Sequence, residues 1–379
     1  MSDDPSSPSL ATTGGRNPSS VVSERERRIL GIIETTRAKR AKFRDARVTM
    51  AHGAGGKATQ GLIEGLLLPA FSSPELDPLG DAGIVSLLGG ELAVSTDSFV
   101  VKPIRFPGGS IGELAVNGTV NDVAMAGARP IALTLSLVLE EGLSAEDLRA
   151  EVEAIARTAK AAGVRIVSGD TKVVERGHAD SMYICTTGFG VVDPRARLSP
   201  AALKPGDRIL LSGRVGDHGT AIMLARGEFE LGASIESDTR SLWPAVDAML
   251  EAAGPGMRCL RDATRGGVAS VLNELARASG VAIVVREADV PVHPAVAGAA
   301  EILGIDPMYM ANEGKLVAVV APGEAGAALA ALRAAPGGED AMEIGEVKTE
   351  PPGMVLVQTA FGGRRVMDQL VGDPLPRIC

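Results

Sequence analysis

The chain has 379 residues, a length that predicts two or three domains of roughly 150 residues each. Hydrophobic residues make up 45% of the chain and aromatic residues only 3%, so its cores must be aliphatic, which favours helix-covered sheets over an aromatic-rich sandwich. The formal net charge of −9 argues against nonspecific nucleic-acid binding, because such binding needs a basic surface that replaces counterions.

The N-terminal segment, residues 1–46, is predicted to be a basic extension that is disordered at first and then helical. Its beginning is rich in Ser, Pro, Gly and Thr, a composition that cannot build a packed core. A basic stretch follows, in which Ile29, Leu30, Ile32 and Ile33 could form the apolar face of a short helix. A solvated appendage and a docking helix for a partner both stay open for this extension.

The first predicted domain, residues 47–200, alternates strand-like and helix-like segments. Apolar runs, helical spacing and an N-cap at Ser144 are the signals that define them. The predicted strands are Leu92–Val101, Pro130–Leu139, Val164–Ser168 and Met182–Val192, and the predicted helices are Ile111–Ala126 and the segment from Ser144 to Gly163. A linker-like stretch, Asp193–Pro205, follows.

The second predicted domain, residues 201–350, shows a similar alternation. Its predicted strands are Arg208–Leu211, Val281–Arg286 and Leu316–Val320, and its predicted helices are Thr220–Ala225, Thr239–Ala253, Val268–Ala278 and Glu324–Ala334. Residues 351–379 add one strand, Met354–Val357, and a tail that two prolines keep extended. The simplest interpretation is two α+β domains of similar size and a mobile tail.

Five aspartates sit in short polar or glycine-containing breaks beside apolar segments: Asp81, Asp97, Asp122, Asp170 and Asp262. Carboxylates at such places can converge on a hard cation, and Mg²⁺ commonly bridges them to nucleotide phosphates. A turn or a helix cap is the ordinary role of any single aspartate in a break. Five together favour a cation site, although their spacing leaves the convergence itself open.

Two glycine-containing segments are candidate phosphate contacts, because small residues let backbone amides approach phosphate oxygens. One is the segment from His52 to Lys57, in which the lysine would add charge, and the other runs from Gly216 to Gly219. Neither is a Walker A loop or a GxGxxG, and a flexible turn is an equal alternative for the first.

A hydrolase and a zinc protein are both disfavoured. The segment from Gly108 to Gly112 matches the G-x-S-x-G pattern, but a turn precedes it where a nucleophile elbow needs a strand. The chain has no CxxC, and its four histidines are scattered, so no zinc motif is present.

The C-terminal residue, Cys379, is the unusual feature of the sequence. Together with Cys185 and Cys259 it does not make a disulfide framework, which fits a reducing compartment. The most apolar long stretch, Ile131 to Leu139, is too short to span a bilayer, so a soluble, cytoplasmic protein is expected. A thiol at an exposed chain end can reach into an active site on its own or another protein.

In combination, these segments resemble the HypE family of hydrogenase-maturation carbamoyl dehydratases. The resemblance runs from about His52 to Cys379 and is carried by Ser95–Ser98, Phe106–Gly109, Asn121–Ala124, Ser168–Val174, Gly216–Gly219, Arg261–Gly267, Ala311–Lys315 and Pro376–Cys379. The wider superfamily of aminoimidazole-ribonucleotide synthetase, thiamine-monophosphate kinase and selenophosphate synthetase shares the aspartate pattern but lacks that tail.

The resemblance implies an α+β, two-domain aminoimidazole-ribonucleotide synthetase-like fold. Residues 47–200 would form an N-terminal ATP-binding and dimerisation domain, whose sheet pairs with that of a second copy to make a homodimer. Residues 201–350 would form a C-terminal α/β domain, and residues 351–379 a C-terminal segment with a flexible tail. ATP would bind with Mg²⁺ between the domains.

The resemblance also implies a reaction at the chain's own end. The thiolate of Cys379 would accept a carbamoyl group from the carbamoyltransferase HypF. ATP would then activate the amide oxygen, and elimination would leave a thiocyanate. The cyano group would pass to iron on the HypC–HypD scaffold complex and become a cyanide ligand of a NiFe hydrogenase.

The functional positions of the family match particular residues of this chain. Beside Cys379, Glu313 and Lys172 match positions suited to removing protons from nitrogen, with a surface charge and a phosphate contact as their ordinary alternatives. The metal positions match Asp81, Asp97 and Asp122. The nucleotide positions match His52, Gly53, Gly55, Gly56, Asn117, Asp170, Asp262 and Thr264.

Two other classes of function stay open. A relative that phosphorylates or cyclises a free small molecule would not need the terminal thiol, and a non-catalytic scaffold would bind partners without consuming ATP. Selenophosphate synthesis is disfavoured, because no cysteine accompanies the early glycine-containing segment.

Overall fold

The computed structural model of the chain covers most of the sequence beyond the N-terminal extension. The described residues are 43, 45–53, 55–71, 73–87, 89–227, 234–370 and 378–379. The predictions for residues 1–42 and for the extended conformation of residues 371–377 lie outside them. None of the helices in the described ranges combines the length and the apolar character that a membrane crossing requires.

A five-stranded sheet forms the first half of the fold, with the order β1-β2-β7-β5-β6. In chain order, the elements are α1 (Lys57–Leu62), a π-helical turn (Ile63–Leu67), α2 (Leu68–Phe71), β1 (Gly83–Leu87), β2 (Gly90–Phe99), the hairpin of β3 (Arg105–Phe106) and β4 (Gly109–Ser110), α3 (Ile111–Met125), β5 (Ala128–Glu140), α4 (Ala145–Ala161), β6 (Arg165–Val174) and β7 (Met182–Val192). Strands β5 and β6 are parallel, and the other neighbours are antiparallel. β6 lies at one edge of the sheet and is exposed along almost its whole length.

A seven-stranded sheet forms the second half, with the order β14-β13-β10-β12-β8-β11-β9. In chain order, the elements are β8 (Arg208–Leu211), α5 (Asp217–Ala225), α6 (Trp243–Ala253), β9 (Met257–Asp262), α7 (Gly267–Ser279), β10 (Ala282–Arg286), α8 (Pro294–Leu303), β11 (Leu316–Val320), α9 (Ala325–Ala334), β12 (Met342–Lys348), β13 (Val355–Gln358) and β14 (Arg364–Met367). Helix α7 covers one face of this sheet, and helices α6 and α9 cover the other. Strands β8, β10 and β11, whose two faces are both covered, are nearly continuous apolar runs rather than alternating ones.

Helix α3 is the central element, because it packs against both halves of the fold. Almost all of its residues are buried, because other elements pack around it on most sides. It lies close to β7, where a Cβ at Gly190 would overlap the side chain of Val123. It also contacts β9 and α6 of the second half. Polar side chains on α3 are thereby held between the two sheets.

Most predicted elements are confirmed. Met182–Val192, Arg208–Leu211 and Leu316–Val320 have the predicted bounds. The hydroxyl of Ser144 caps its helix, accepting a hydrogen bond from N of Asp147 at 3.0 Å. The architecture is α+β with two sheets, as predicted.

Other segments differ from the predictions. Strand β6 continues past Ser168 to Val174, so the predicted break at Asp170 is part of a strand. The helix predicted from Thr239 begins only at Trp243, because the residues before it bind to helix α3. Helix α8 and strands β9, β12 and β14 lie where the sequence pattern predicts no element, so the second sheet has three more strands than predicted.

Candidate active site

The last two residues of the chain lie inside the fold. Ile378 forms an antiparallel bridge with Val101, and a main-chain carboxylate oxygen of Cys379 accepts a hydrogen bond from N of Val100 at 3.1 Å. The Ile378 side chain is 2% exposed and packs in a core shared by elements of both halves. Burial of such a side chain contributes about 1.5–3 kcal/mol. We call this arrangement of residues 378–379 the docked end.

The Cys379 thiol lies between a cationic and an acidic side chain. Nε of Arg265 donates a hydrogen bond to Sγ at 3.0 Å, and the carboxyl group of Glu313 is close enough to affect the pKa of the thiol. Burial raises the pKa of Cys379 to about 12, with Arg265 opposing the rise and Glu313 adding to it. The docked thiol is therefore uncharged at neutral pH and a poor nucleophile.

Glu313 is a buried acid beside that thiol. It is 3% exposed, and its Oε1 has no hydrogen-bonding partner among the residues that the structure describes. Burial, followed by the negative charges of Asp238 and Asp262, raises the pKa of Glu313 well above its ordinary value. A carboxylate whose pKa is raised in this way binds a proton more strongly than an ordinary one, which suits it to act as a general base.

A buried ion pair fixes the loop that carries Glu313. Asp238 accepts hydrogen bonds from N of Glu313 at 3.0 Å, from N of Gly314 at 3.2 Å and from Nζ of Lys315 at 2.9 Å. Burial opposes ionisation, but Lys315 and the Glu313 amide hold the pKa of Asp238 below its ordinary value. A Cβ at Gly314 would overlap the carbonyl oxygen of Asp238, so the loop requires glycine there. Asp238 thus positions Glu313.

Two asparagines of helix α3 bind this loop and the segment that carries Asp238. Nδ2 of Asn121 donates to the carbonyl oxygen of Arg240 at 2.9 Å and to that of Glu313 at 3.4 Å. One turn earlier, Nδ2 of Asn117 donates to Oγ1 of Thr239 at 3.2 Å. Asn117, predicted as a nucleotide contact, therefore also joins the two halves of the fold beside the site.

Four of the five predicted aspartates form an acidic cluster: Asp81, Asp97, Asp122 and Asp262. Burial raises the pKa of all four carboxyl groups, to about 6 for Asp81, and repulsion within the cluster adds to the rise for Asp122 and Asp262. They converge because they come from the segment before β1, from β2, from α3 and from the end of β9. Carboxylates compressed in this way favour a bound cation.

The donor set of the acidic cluster fits a hard cation such as Mg²⁺. Within the described ranges, no three His, Cys, Asp or Glu side chains are arranged as a ready-made metal site. Mg²⁺, however, is often held by one or two carboxylates together with substrate phosphates and water. Asp81 is partly neutralised by Arg261, whose Nη1 lies 3.0 Å from Oδ1. Asp97 and Asp122, whose carboxyl groups are close enough to affect each other's pKa, are the better candidates among the predicted ligands.

The glycine-containing segment from His52 to Gly56 lies against Arg265. Nη1 of Arg265 donates a hydrogen bond to the carbonyl oxygen of Gly53. A Cβ at Gly55 would lie 3.1 Å from the carbonyl oxygen of Arg265, so the two backbones are close. The same guanidinium group therefore contacts this segment and the docked end.

The remaining predicted nucleotide contacts border the site at two turns. Gly56 is the N-cap of α1. Thr264 lies between β9 and α7, where its carbonyl oxygen accepts a hydrogen bond from N of Gly267. His52 is buried in the turn before α1, with its ring bonded to Thr49.

Asp170 and Lys172 lie elsewhere, on the exposed edge strand β6. Their side chains are 61% and 68% exposed and pair with each other. The hydrogen bond from Lys172 holds the pKa of Asp170 below its ordinary value. Among the described residues of a single chain, neither belongs to the group around Cys379.

Three residues contribute to the site although the sequence analysis gave them no such role: Arg265, Asp238 and His218. His218 was a candidate phosphate contact, but its ring is buried and bonds to the carbonyl oxygen of Ile378. Arg265 stands in one of the segments that carry the family resemblance, three residues after Asp262, and this is the one sequence signal that points to it. Asp238 has no comparable signal.

The sequence matches two domain families over much of the described chain. AIR synthase related protein, N-terminal domain, matches residues 79–192, and AIR synthase related protein, C-terminal domain, matches residues 204–357. Carbamoyl dehydratase HypE of Rhodobacter capsulatus is 49% identical over 340 residues, which cover 89% of this chain and 99% of the relative.

Solved structures show the same likeness. A HypE–HypF complex contains a chain that is 44% identical, with a TM-score of 0.78, covering 82% of this chain and 99% of the solved one. HypE in complex with ATP is 45% identical, with a TM-score of 0.74, covering 88% of this chain and 100% of the solved one. The predicted two-domain fold of the aminoimidazole-ribonucleotide synthetase type is confirmed.

Proposed function

This chain belongs to the HypE family, and we propose that it is an ATP-dependent carbamoyl dehydratase of hydrogenase maturation that acts on its own Cys379. The observation that carries the proposal is the docked end, whose thiol lies between the guanidinium group of Arg265 and the buried carboxyl group of Glu313. An enzyme for a free small molecule has no use for its own C-terminal thiol at that point.

We infer that the thiol is carbamoylated while the end of the chain is undocked. The docked thiol is buried and uncharged, whereas a solvated thiol has an ordinary pKa of about 8.5 and supplies thiolate. The donor would be a HypF-type carbamoyltransferase, since a HypE relative has been solved in complex with HypF. Docking would then carry the S-carbamoyl group to Glu313.

The second step would remove the elements of water from the S-carbamoyl group. The amide oxygen attacks the γ-phosphorus of ATP, the bond between that phosphorus and the bridging oxygen breaks, and ADP leaves with the electron pair. Loss of one N–H proton gives an O-phosphorylated imidate. Loss of the second N–H proton and cleavage of the C–O bond release phosphate and form the C≡N bond of a thiocyanate.

The residues of the site match the needs of this step. Glu313 would accept a proton from nitrogen, since its Oε1 is unoccupied by other described donors. The acidic cluster would hold Mg²⁺, with Asp97 and Asp122 as protein ligands, and the ion would neutralise charge on the ATP phosphates. A HypE relative has been solved in complex with ATP. A HypC–HypD type scaffold would receive the cyano group on iron.

Mass spectrometry of the C-terminal peptide tests the proposal directly. The protein is first carbamoylated with a HypF-type donor system, freed of nucleotide, and then divided between samples with and without ATP. The peptide should gain one carbamoyl group and should lose one water only after ATP is added. Cys379→Ser is the control that should show no thiocyanate.

Two outcomes would contradict the proposal. The first is an unmodified peptide under conditions in which the donor system carbamoylates a HypE relative. The second is ATP turnover in Cys379→Ser at the wild-type rate, which would favour a free small-molecule substrate instead.

We also propose that two copies of the chain pair through strand β6. The strand is an unpaired edge in the described chain, and Val167 and Val173 on it are 54% and 69% exposed. Exposed apolar edges invite pairing with another chain unless they are covered. Pairing would also give Asp170 and Lys172 a place in the assembly, where Lys172 would serve the site of the other copy.

Val167→Asp should convert this dimer to a monomer, because it places a charge in the proposed contact. The molar mass in solution, measured by light scattering during size-exclusion chromatography, should fall by half. Val366→Asp is a matched control, since Val366 is 48% exposed on β14, an edge strand of the second sheet. A wild-type protein that runs as a monomer contradicts the proposal.

A further inference from the structure

We propose that His218 and Arg265 form a two-point clamp that holds the docked end: His218 binds the carbonyl oxygen of Ile378, and Arg265 binds the sulfur of Cys379. The clamp would be the device that places the substituent of the sulfur beside Glu313. Its meaning for catalysis rests on the proposed dehydratase function, whereas the clamp itself is a property of the free protein.

His218 supplies a fixed, uncharged donor. The ring is fully buried at the start of α5, with Nε2 at the carbonyl oxygen of Ile378 and Nδ1 2.8 Å from Oγ of Ser237. A carbonyl oxygen only accepts hydrogen bonds, so Nε2 carries the proton, and Nδ1 then accepts from the serine hydroxyl. Burial lowers the pKa of His218, which keeps the ring neutral at pH 7.

The orientation of the ring is fixed by its neighbours. The ring of Phe106 meets it edge-on, with centroids 5.5 Å apart and an interplanar angle of 86°. Ser237 is itself held, since its N donates to the carbonyl oxygen of Pro107 at 2.8 Å. The donor at Nε2 is thus pre-oriented before the end of the chain arrives, which lowers the entropy cost of docking.

Arg265 supplies the second point and joins it to another part of the site. Its Nε donates to Sγ of Cys379 at 3.0 Å, and its Nη1 donates to the carbonyl oxygen of Gly53. Because a guanidinium group is a rigid fork, its two donors move together. The docked end and the glycine-containing segment from His52 to Gly56 are therefore held by one rigid group.

Two points are needed to aim the thiol. The backbone contacts of Val100 and Val101 fix the course of residues 378–379 but leave the Cα–Cβ torsion of Cys379 free. Anchoring the preceding carbonyl oxygen and the sulfur fixes both ends of the last residue. The sulfur then lies beside Glu313, close enough for the two groups to affect each other's pKa.

The alternative is that His218 is an ordinary core histidine and that the end of the chain would dock without it. The rate at which iodoacetamide labels Cys379 distinguishes the two, when it is measured peptide by peptide at one pH. The docked thiol is buried, so labelling reports the undocked fraction. Cys185 is a partly exposed internal reference for the reagent, and buried Cys259 reports unfolding.

His218→Phe and Arg265→Met should each label about ten-fold faster at Cys379 than the wild type, as expected from the loss of one clamp hydrogen bond. His218→Gln keeps an N–H donor and should stay within about three-fold of the wild type. Arg208→Met, which removes a surface ion pair with Glu346 in the second sheet, should match the wild type.

Wild-type labelling rates in both His218→Phe and Arg265→Met would overturn the clamp. If Cys259 is also labelled in His218→Phe, that variant is unfolded. The test then depends on Arg265→Met alone, which should fold because the Arg265 side chain is partly exposed and is not part of a core. The experiment uses neither a carbamoyl donor nor ATP. Failure of the clamp is therefore seen separately from failure of the dehydratase proposal.

Discussion

Glu313→Gln should still receive a carbamoyl group on Cys379 but should convert it to thiocyanate roughly 100- to 10,000-fold more slowly than the wild type, the usual contribution of a general base. Glutamine keeps the size of the side chain and a donor–acceptor pair, yet it cannot accept a proton. The measurement is a single turnover: carbamoylated protein is mixed with ATP, quenched at intervals, and its C-terminal peptide is weighed.

The pH dependence of the same reaction gives a second signature. The pKa of Glu313 is raised by burial and by Asp238 and Asp262, so part of the wild-type protein carries a protonated Glu313 below that raised pKa. Only the deprotonated carboxylate accepts a proton, and the rate should therefore rise as the pH rises through it. Glu313→Gln should lack this rise.

Glu346→Gln, a substitution on β12, is the control and should leave both the rate of dehydration and its pH dependence unchanged. Dehydration at the wild-type rate in Glu313→Gln would show that Glu313 has no role in the mechanism.

The fold is predictable from the sequence where one segment carries its own burial signal. Leu316–Val320 is apolar at every position and is buried at every position, so its bounds follow directly. Strand Met342–Lys348 mixes acidic and apolar residues and includes Gly345, at which a Cβ would overlap the carbonyl oxygen of Val284. This segment is a strand because of the strands that pair with it on both sides, and its own sequence does not predict that pairing.

The acidic cluster is predictable in part from the local sequence around each aspartate. Their residue type and their position beside apolar segments predict that Asp97, Asp122 and Asp262 belong to a cation site, and the fold does bring them together. Asp170 has the same local signal, yet it lies in the middle of the edge strand β6. Gly169, the residue before it, is typical of the end of a strand. In the structure this glycine instead allows β6 to lie close to β5, since a Cβ there would overlap the carbonyl oxygen of Leu135.

The partners of the docked end are not predictable from local patterns. Arg265 and Cys379 are far apart in the chain, and the 3.0 Å contact between them exists only once both halves of the fold are assembled. His218 likewise takes its role from a carbonyl oxygen at position 378. The sequence predicts that the terminal cysteine is a reactive thiol, whereas the groups that orient this thiol are brought to it only by the tertiary structure.

Asp122→Asn should lower the rate of MgATP use by about 100-fold, as expected when a carboxylate ligand of a catalytic cation is lost. The same change should stabilise the ion-free protein. The pKa of Asp122 is raised by burial and by the charges of Asp97, Asp262 and Asp81, which means that its negative charge is unfavourable in the folded state when no cation is bound. A neutral amide of nearly the same shape removes that repulsion.

Thermal unfolding with and without Mg²⁺, together with ATP consumption by the carbamoylated protein in a single turnover, measures both effects. The wild type should gain stability on addition of Mg²⁺, and Asp122→Asn should begin more stable and gain less. Asp247→Asn is the matched control, because Asp247 is a half-exposed partner of Arg195 outside the cluster and should alter neither quantity appreciably. A variant that is merely damaged loses activity and stability together. A carboxylate whose role is to bind the cation should instead give slower ATP use together with a higher unfolding temperature when it is replaced. Unchanged ATP use in Asp122→Asn would show that Asp122 is not a ligand of the metal site.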